Sequence, residues 1–122
     1  MKASYIESHG GPEVMQYGDL PDPVAGPGEV IVDIHAATVN AADPKVRAGG
    51  TYGELDSFPY ILGRDFSGVV SALGEGVTDF AVGDAVFGVC DRGQEGTYAE
   101  KIAMKASIIA KKPDDVSHIE AA

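Results

Sequence analysis

Pro59-Tyr60-Ile61-Leu62-Gly63-Arg64-Asp65-Phe66-Ser67-Gly68-Val69-Val70-Ser71-Ala72-Leu73-Gly74 reads as a strand entered through two adjacent charged residues. Phe66, Gly68, Val70 and Ala72 fall on one face at period two, and Asp65, Ser67, Val69, Ser71 and Leu73 on the other. The same alternation puts Arg64 and Asp65 on opposite faces. Gly74-Glu75-Gly76 then breaks the strand. With no third glycine and no helix behind it, this is a turn rather than a dinucleotide-binding loop.

Sixteen glycines and seven prolines cut the rest of the chain into short pieces, and helix-period apolar patterns are nearly absent before the last few residues. Residues 1–6 read as a strand, and Gly10-Gly11-Pro12 turns the chain towards residues 14–17 as a hairpin or nearby pair. A linker containing Pro21, Pro23, Gly26, Pro27 and Gly28 leads to the longest expected strand, residues 29–40. Its even positions Val30, Val32, Ile34, Ala36 and Thr38 share a face that Asn40 continues. Residues 41–48 read as a short helix, with Pro44 near its first turn and Gly49-Gly50 past its end. Residues 51–59 read as a surface loop, and further strands are expected at 85–90, 97–104 and 107–111. Six or seven short strands with glycine turns predict a mainly β barrel or sandwich. At the other end, Ser117-His118-Ile119-Glu120 fits a helix-starting capping box followed only by Ala121 and Ala122, so a truncated C-terminal helix is expected.

The chain has 122 residues, enough for one domain with a real core. Nine basic against nineteen acidic side chains give a net charge of -10, a field that repels nucleic acid and anionic membrane surfaces. No apolar run approaches the roughly 20 residues of a membrane helix, and Met1-Lys2-Ala3-Ser4-Tyr5 lacks a signal-peptide apolar segment. A cytoplasmic location is the resulting expectation. The single Cys90 excludes an internal disulfide and reads as a small buried hydrophobe.

Two polar positions stand out. Asn40, at the end of a core-directed series, marks either the rim of a cleft or the cap of the helix that follows it. Tyr52, in a loop next to glycine, is either a substrate contact or a ring packed over the core edge. His9, His35 and His118 have no ligand spacing and read as turn, strand-surface and helix-start residues.

The opening stretch, together with Gly83-Asp84-Ala85-Val86-Phe87-Gly88, resembles the medium-chain dehydrogenase/reductase superfamily. The similarity narrows to its zinc-independent NADPH:quinone oxidoreductase branch through Gly10-Gly11-Pro12-Glu13-Val14, Val39-Asn40-Ala41-Ala42-Asp43, Gly96-Thr97-Tyr98-Ala99-Glu100 and Pro113-Asp114. The resemblance implies that residues 1–122 are the N-terminal part of a GroES-like catalytic domain. Its fold would be a mainly β partial barrel of short strands with one short helix and a truncated C-terminal helix, and the Rossmann cofactor domain would lie outside this chain. Zinc-dependent relatives carry a cysteine where Asn40 stands and a histidine where Arg64 stands. An amide and a permanently charged guanidinium are not zinc ligands. Cys90-Asp91-Arg92-Gly93-Gln94 likewise stands where those relatives have a run of four cysteines, so no metal is expected.

The family's chemistry implies hydride transfer from NADPH to a quinone or α,β-unsaturated carbonyl, with developing negative charge met by hydrogen-bond donors. On that resemblance Asn40 lies by the nicotinamide and shares the catalytic work with Tyr52, a phenol suited to act as general acid. Gly49-Gly50 sets Tyr52 one residue farther from Asn40 than in the relatives. Arg64, if it faces the cleft, would bind a cofactor phosphate or substrate anion; otherwise it is a salt-bridge partner. Asp43 and Lys45 join Tyr52 around the substrate pocket, Lys45 standing where relatives often have an aromatic. Asp43 reads equally as a first-turn helix carboxylate. The chain alone is expected to be inactive or nearly so, and the full-length enzyme compatible with a homodimer. A reading from another class is a free-standing GroES-like binding or co-chaperonin-like module.

Overall fold

The computed structural model describes residues 1–50 and 54–122. Tyr52 lies outside the described residues. Within them the chain runs as β1 (Lys2–Ile6), β2 (Met15–Asp19), β3 (Glu29–Thr38), α1 (Ala42–Ala48), β4 (Tyr60–Ile61), β5 (Asp65–Leu73), β6 (Ala85–Val89), β7 (Lys101–Lys105), β8 (Ile109–Lys111) and α2 (His118–Ala121). Eight described strands thus exceed the six or seven expected. The extra one arises because residues 59–74 do not form a single strand. Tyr60–Ile61 pairs with β1, the chain kinks at Gly63, whose φ is 97°, and β5 starts only at Asp65.

Five antiparallel strands form the larger sheet in the order β7-β3-β5-β6-β8, and β2-β1-β4 form a smaller one. The two are tied by a bridge between Ala3 and Ala99. The larger sheet is open, with β7 and β8 at its edges. Its core collects Val30, Val32, Phe66, Val70, Val86, Cys90, Ile102, Met104 and Ile109. These come from every strand of the sheet, chiefly as β-branched and aromatic residues suited to a pleated, half-buried surface. A second cluster of Ile6, Val46 and Leu62 seats α1 against the smaller sheet. The Ser117 capping box forms as expected: the Ser117 hydroxyl accepts from the Glu120 N–H, and the Glu120 carboxylate accepts from the Ser117 N–H.

The even-face reading of residues 29–40 needs correction. Pairing between β3 and β5 shifts register between Ile31 and Val32 and again between Ile34 and Ala36. At the first shift the extra residue is Ser71, in β5; at the second it is His35, in β3, and that one exchanges the faces of everything beyond it in β3. Val30 and Val32 point into the core, but beyond His35 it is Ala37 that pairs with the core residue Phe66. Ala36 and Thr38 pair instead with Ser67 and Asp65, so Thr38 is turned to the opposite side from Val32. That side is covered in part by α2, which packs on β3 and β5.

Gly68 governs how closely these strands approach. A Cβ there would lie 2.1 Å from the carbonyl oxygen of Asp33 and 2.8 Å from Val32 Cγ1. The first obstacle is backbone and cannot swing aside. Replacing Gly68 by Ala is therefore expected to lower stability by about 1–3 kcal/mol, the usual cost of overpacking. Urea unfolding checks this, and an unchanged midpoint would contradict the assigned β3–β5 contact.

Candidate functional site

Where the larger sheet ends, Thr38, Asp65 and Val89 form one cross-strand row. Beyond it a cleft of about 350 Å³ is lined by Asn40, Ala41, Ala42, Arg64, Asp65 and Val89. Asp65 organises this rim. Its Oδ2 accepts from Asn40 Nδ2 at 2.7 Å and from Thr38 Oγ1 at 3.2 Å. Because a carboxylate only accepts, the first bond fixes which end of the Asn40 amide is nitrogen. The second Nδ2 hydrogen and Oδ1 of Asn40 have no partner among the described residues, which leaves a donor and an acceptor at the cleft. The Asn40 side chain does not cap α1: the cap position is Ala41, without a side-chain cap bond.

Arg64 and Asp65 both line the cleft, contrary to the opposite faces expected from alternation. Arg64 belongs to the kink before β5, where strand geometry does not dictate direction. Its Nη2 donates to the Cys90 carbonyl at 3.1 Å, while the Cys90 N–H donates to the Arg64 carbonyl at 2.8 Å. Arg64 Nε is buried with no partner among the described residues. An unspent buried donor on a permanent cation is costly unless an acceptor arrives.

Behind the rim lies a second carboxylate. Asp43 is 3% exposed; its Oδ2 accepts from the Asn40 backbone N–H at 2.8 Å and from the Tyr98 hydroxyl at 2.5 Å. Burial, reinforced by the bond to Asp43, raises the Tyr98 phenol above its ordinary range, so Tyr98 stays a donor at neutral pH. Asp43 thus holds the Asn40 backbone and is not among the residues lining the cleft, and Lys45 is exposed on α1. Neither Asp65 nor Tyr98 stood out as a site residue in the sequence. The adjacency of Asp65 to Arg64 was the one available signal. Tyr98 lies 55 positions from Asp43, with no local pattern joining them.

His9 accepts the Leu55 N–H at Nε2 and faces the Arg47 carbonyl with Nδ1, a structural link with the proton on Nδ1. His35 and His118 lie with ring centroids 4.5 Å apart, and His118 Nδ1 meets Ser67 Oγ. No group of three or more His, Cys, Asp or Glu suited to a metal occurs among the described residues.

The alcohol dehydrogenase GroES-like domain family matches residues 26–114. The chain belongs to this family. The GroES-like domain is 33% identical over 139 residues to the human protein named NAD(P)H oxidoreductase RTN4IP1, mitochondrial, a match taking in 100% of this chain and 35% of that protein. It superposes on the quinone oxidoreductase from Coxiella burnetii with a TM-score of 0.93 at 32% identity, covering 100% of this chain and 40% of the other. On the Escherichia coli quinone oxidoreductase complexed with NADPH it scores 0.90 at 29% identity, covering 99% and 36%. The chain thus spans little more than a third of the length of these relatives. No described helix of the domain is long and apolar enough to cross a membrane.

Cys90 anchors the domain's Arg64 from a buried position. It is free and 1% exposed, and burial pushes its thiol from 9.0 up to about 12. The folded state therefore binds a proton that the unfolded state releases above about pH 9. This stabilisation is complete below pH 9 and lost as pH rises towards about 12. Unfolding free energy measured across that window is expected to fall less steeply in Cys90→Ala, by up to about 1.4 kcal/mol per pH unit. Identical slopes would contradict a buried neutral thiol.

Proposed function

We propose that residues 1–122 are the N-terminal part of the catalytic domain of a longer NADPH-dependent oxidoreductase. It would reduce quinones or α,β-unsaturated carbonyls by hydride transfer without zinc. The observation that carries this reading is the Asn40 amide, oriented by Asp65 and left with one donor and one acceptor at a cleft that Arg64 also lines. A nicotinamide carboxamide asks for that pair of groups. A phosphate or substrate anion asks for what the Arg64 guanidinium still offers.

Bound NADPH supplies the hydride; its remaining contacts fall to residues beyond this chain, so residues 1–122 alone are expected to turn over little or nothing. Reduction leaves the substrate as an enolate or hydroquinone anion. The cleft meets such charge with the Asn40 N–H and Arg64. Tyr52, assigned from the family resemblance, then donates the phenolic proton. Asp43 supports Asn40 from behind, and Lys45, exposed on α1, is assigned to the substrate pocket from the family resemblance alone. The zinc-free part of the proposal rests on donor chemistry: an amide and a guanidinium line the cleft, and its one carboxylate, Asp65, is already engaged by Thr38 and Asn40. A free-standing binding module has no use for such an arrangement and predicts no NADPH oxidation at all. We place the enzyme in the cytoplasm, although the human relative's name places that protein in the mitochondrion.

NADPH oxidation by the full-length protein, measured with quinones, 2-enones and saturated alcohols with and without a chelator, tests the proposal. Turnover of quinone or enone that survives chelation is expected, with Tyr52→Phe slowing kcat by about a hundredfold. Activity lost on chelation, or confined to alcohols, would overturn the zinc-free reading.

A further inference from the structure

We propose that Tyr98 is a positioning residue that acts through Asp43 to hold Asn40 at the rim of the cleft. This inference rests on the proposed function only for its catalytic consequence; the geometry stands on its own.

The Asn40 side chain is aimed by Asp65, but aiming a side chain is useful only if its backbone stays put. The chain leaves β3 at Thr38 and enters α1 at Ala42. Within that connection the Asn40 N–H is held by Asp43 Oδ2 at 2.8 Å, and the Asn40 carbonyl accepts from the Asp43 N–H at 3.0 Å. The first of these bonds is only as firm as the carboxylate making it. Asp43 Oδ1 is buried with no partner among the described residues. Among the described residues the Tyr98 hydroxyl is thus the one donor from outside the Asn40–Asp43 turn that fixes how this carboxylate lies. Without it a buried carboxylate would keep a single backbone N–H, short of what its burial requires.

Tyr98 is built to serve as a fixed post. Its N–H donates to the Leu62 carbonyl at 3.0 Å, and its carbonyl accepts from the Ser4 N–H at 2.7 Å, so its backbone is pinned between β1 and the segment before β5. Its ring crosses Gly63: a Cβ there would lie 2.5 Å from Tyr98 Cδ1, on a backbone with φ of 97°. The glycine preceding Arg64 thereby leaves room for the phenol to reach Asp43 on α1. The hydroxyl lies behind the rim, so Tyr98 orders the site and is not a catalytic residue.

Hydrogen exchange in the full-length protein without cofactor, combined with steady-state kinetics, tests this. In Tyr98→Phe the Asn40 amide is expected to exchange about tenfold faster, the scale of one hydrogen bond to a charged group. The Val70 amide, bonded to the Asp84 carbonyl in the core, should stay within about twofold. Turnover should show kcat lowered about tenfold with KM changed less than about twofold, because the group loosened acts at the reacting end. Uniform acceleration of both amides would reduce Tyr98 to a general stabiliser and overturn the proposal. So would unchanged Asn40 exchange, or faster Asn40 exchange with unaltered kcat. If the Phe variant fails to fold, Asp43→Asn, which keeps the shape and weakens the acceptor, is read by the same Asn40-to-Val70 comparison with the same consequences. If the wild type turns over no quinone or enone yet Asn40 exchange responds selectively, the positioning stands and the proposed function falls.

Discussion

The close approach of β3 to β5 at Gly68 is the constraint from which the rest of the structure follows. Only a residue without Cβ lets the Asp33 carbonyl come this near, and the pairing of Ile34 with Gly68 sets the register on either side. The bulge at His35 then exchanges faces and delivers Thr38 opposite Asp65. Without that exchange Thr38 would share a side with Val32, and Asp65 would lose a donor. The cleft is in this sense a consequence of backbone packing in the sheet, which is why its polar residues sit on strand ends and not on long loops.

Two carboxylates divide the labour at the rim. Asp65 is half-buried and aims the Asn40 side chain; Asp43 is buried and holds the Asn40 backbone. Among the described residues each accepts from neutral donors at Oδ2, and Asp43 Oδ1 has no partner, in a chain whose net charge is -10. Arg64 is tied to a backbone carbonyl instead of either carboxylate, so its charge is not cancelled within the rim. A site that keeps its cation apart from its anions is suited to anionic ligands and to charge that develops during reaction. Distance and screening limit how far the overall acidic field offsets this.

Every strand but β4, the short helix, the capping box and the buried Cys90 were legible in the residue pattern, because each depends on neighbours a few positions apart, although the strand expected at 97–104 runs only over Lys101–Lys105. Asn40 stood out as a polar residue ending an apolar series, but its place at a zinc-ligand position, like that of Arg64, was legible only through the family resemblance. The orientation of Arg64 was not: alternation assumes a continuous strand, and Gly63 interrupts it. The bulges at His35 in β3 and Ser71 in β5 were equally hidden, since nothing in either strand marks an extra residue except its effect on the partner strand. Tyr98 could not be read at all from spacing, because its meeting with Asp43 is made by the topology of two sheets. Gly63 stood in plain view but carried no meaning until the ring passing across it was seen.

The Asn40–Asp65 pair and Arg64 are proposed to form the receiving end of a cofactor cleft. A crystal structure of the full-length protein with NADPH measures this directly. The nicotinamide carboxamide is expected within hydrogen-bonding distance of the Asn40 amide, with the Asn40–Asp65 bond intact and Arg64 facing the bound molecules. A nicotinamide seated away from Asn40, or a metal ion held by Asp65 in its place, would contradict it.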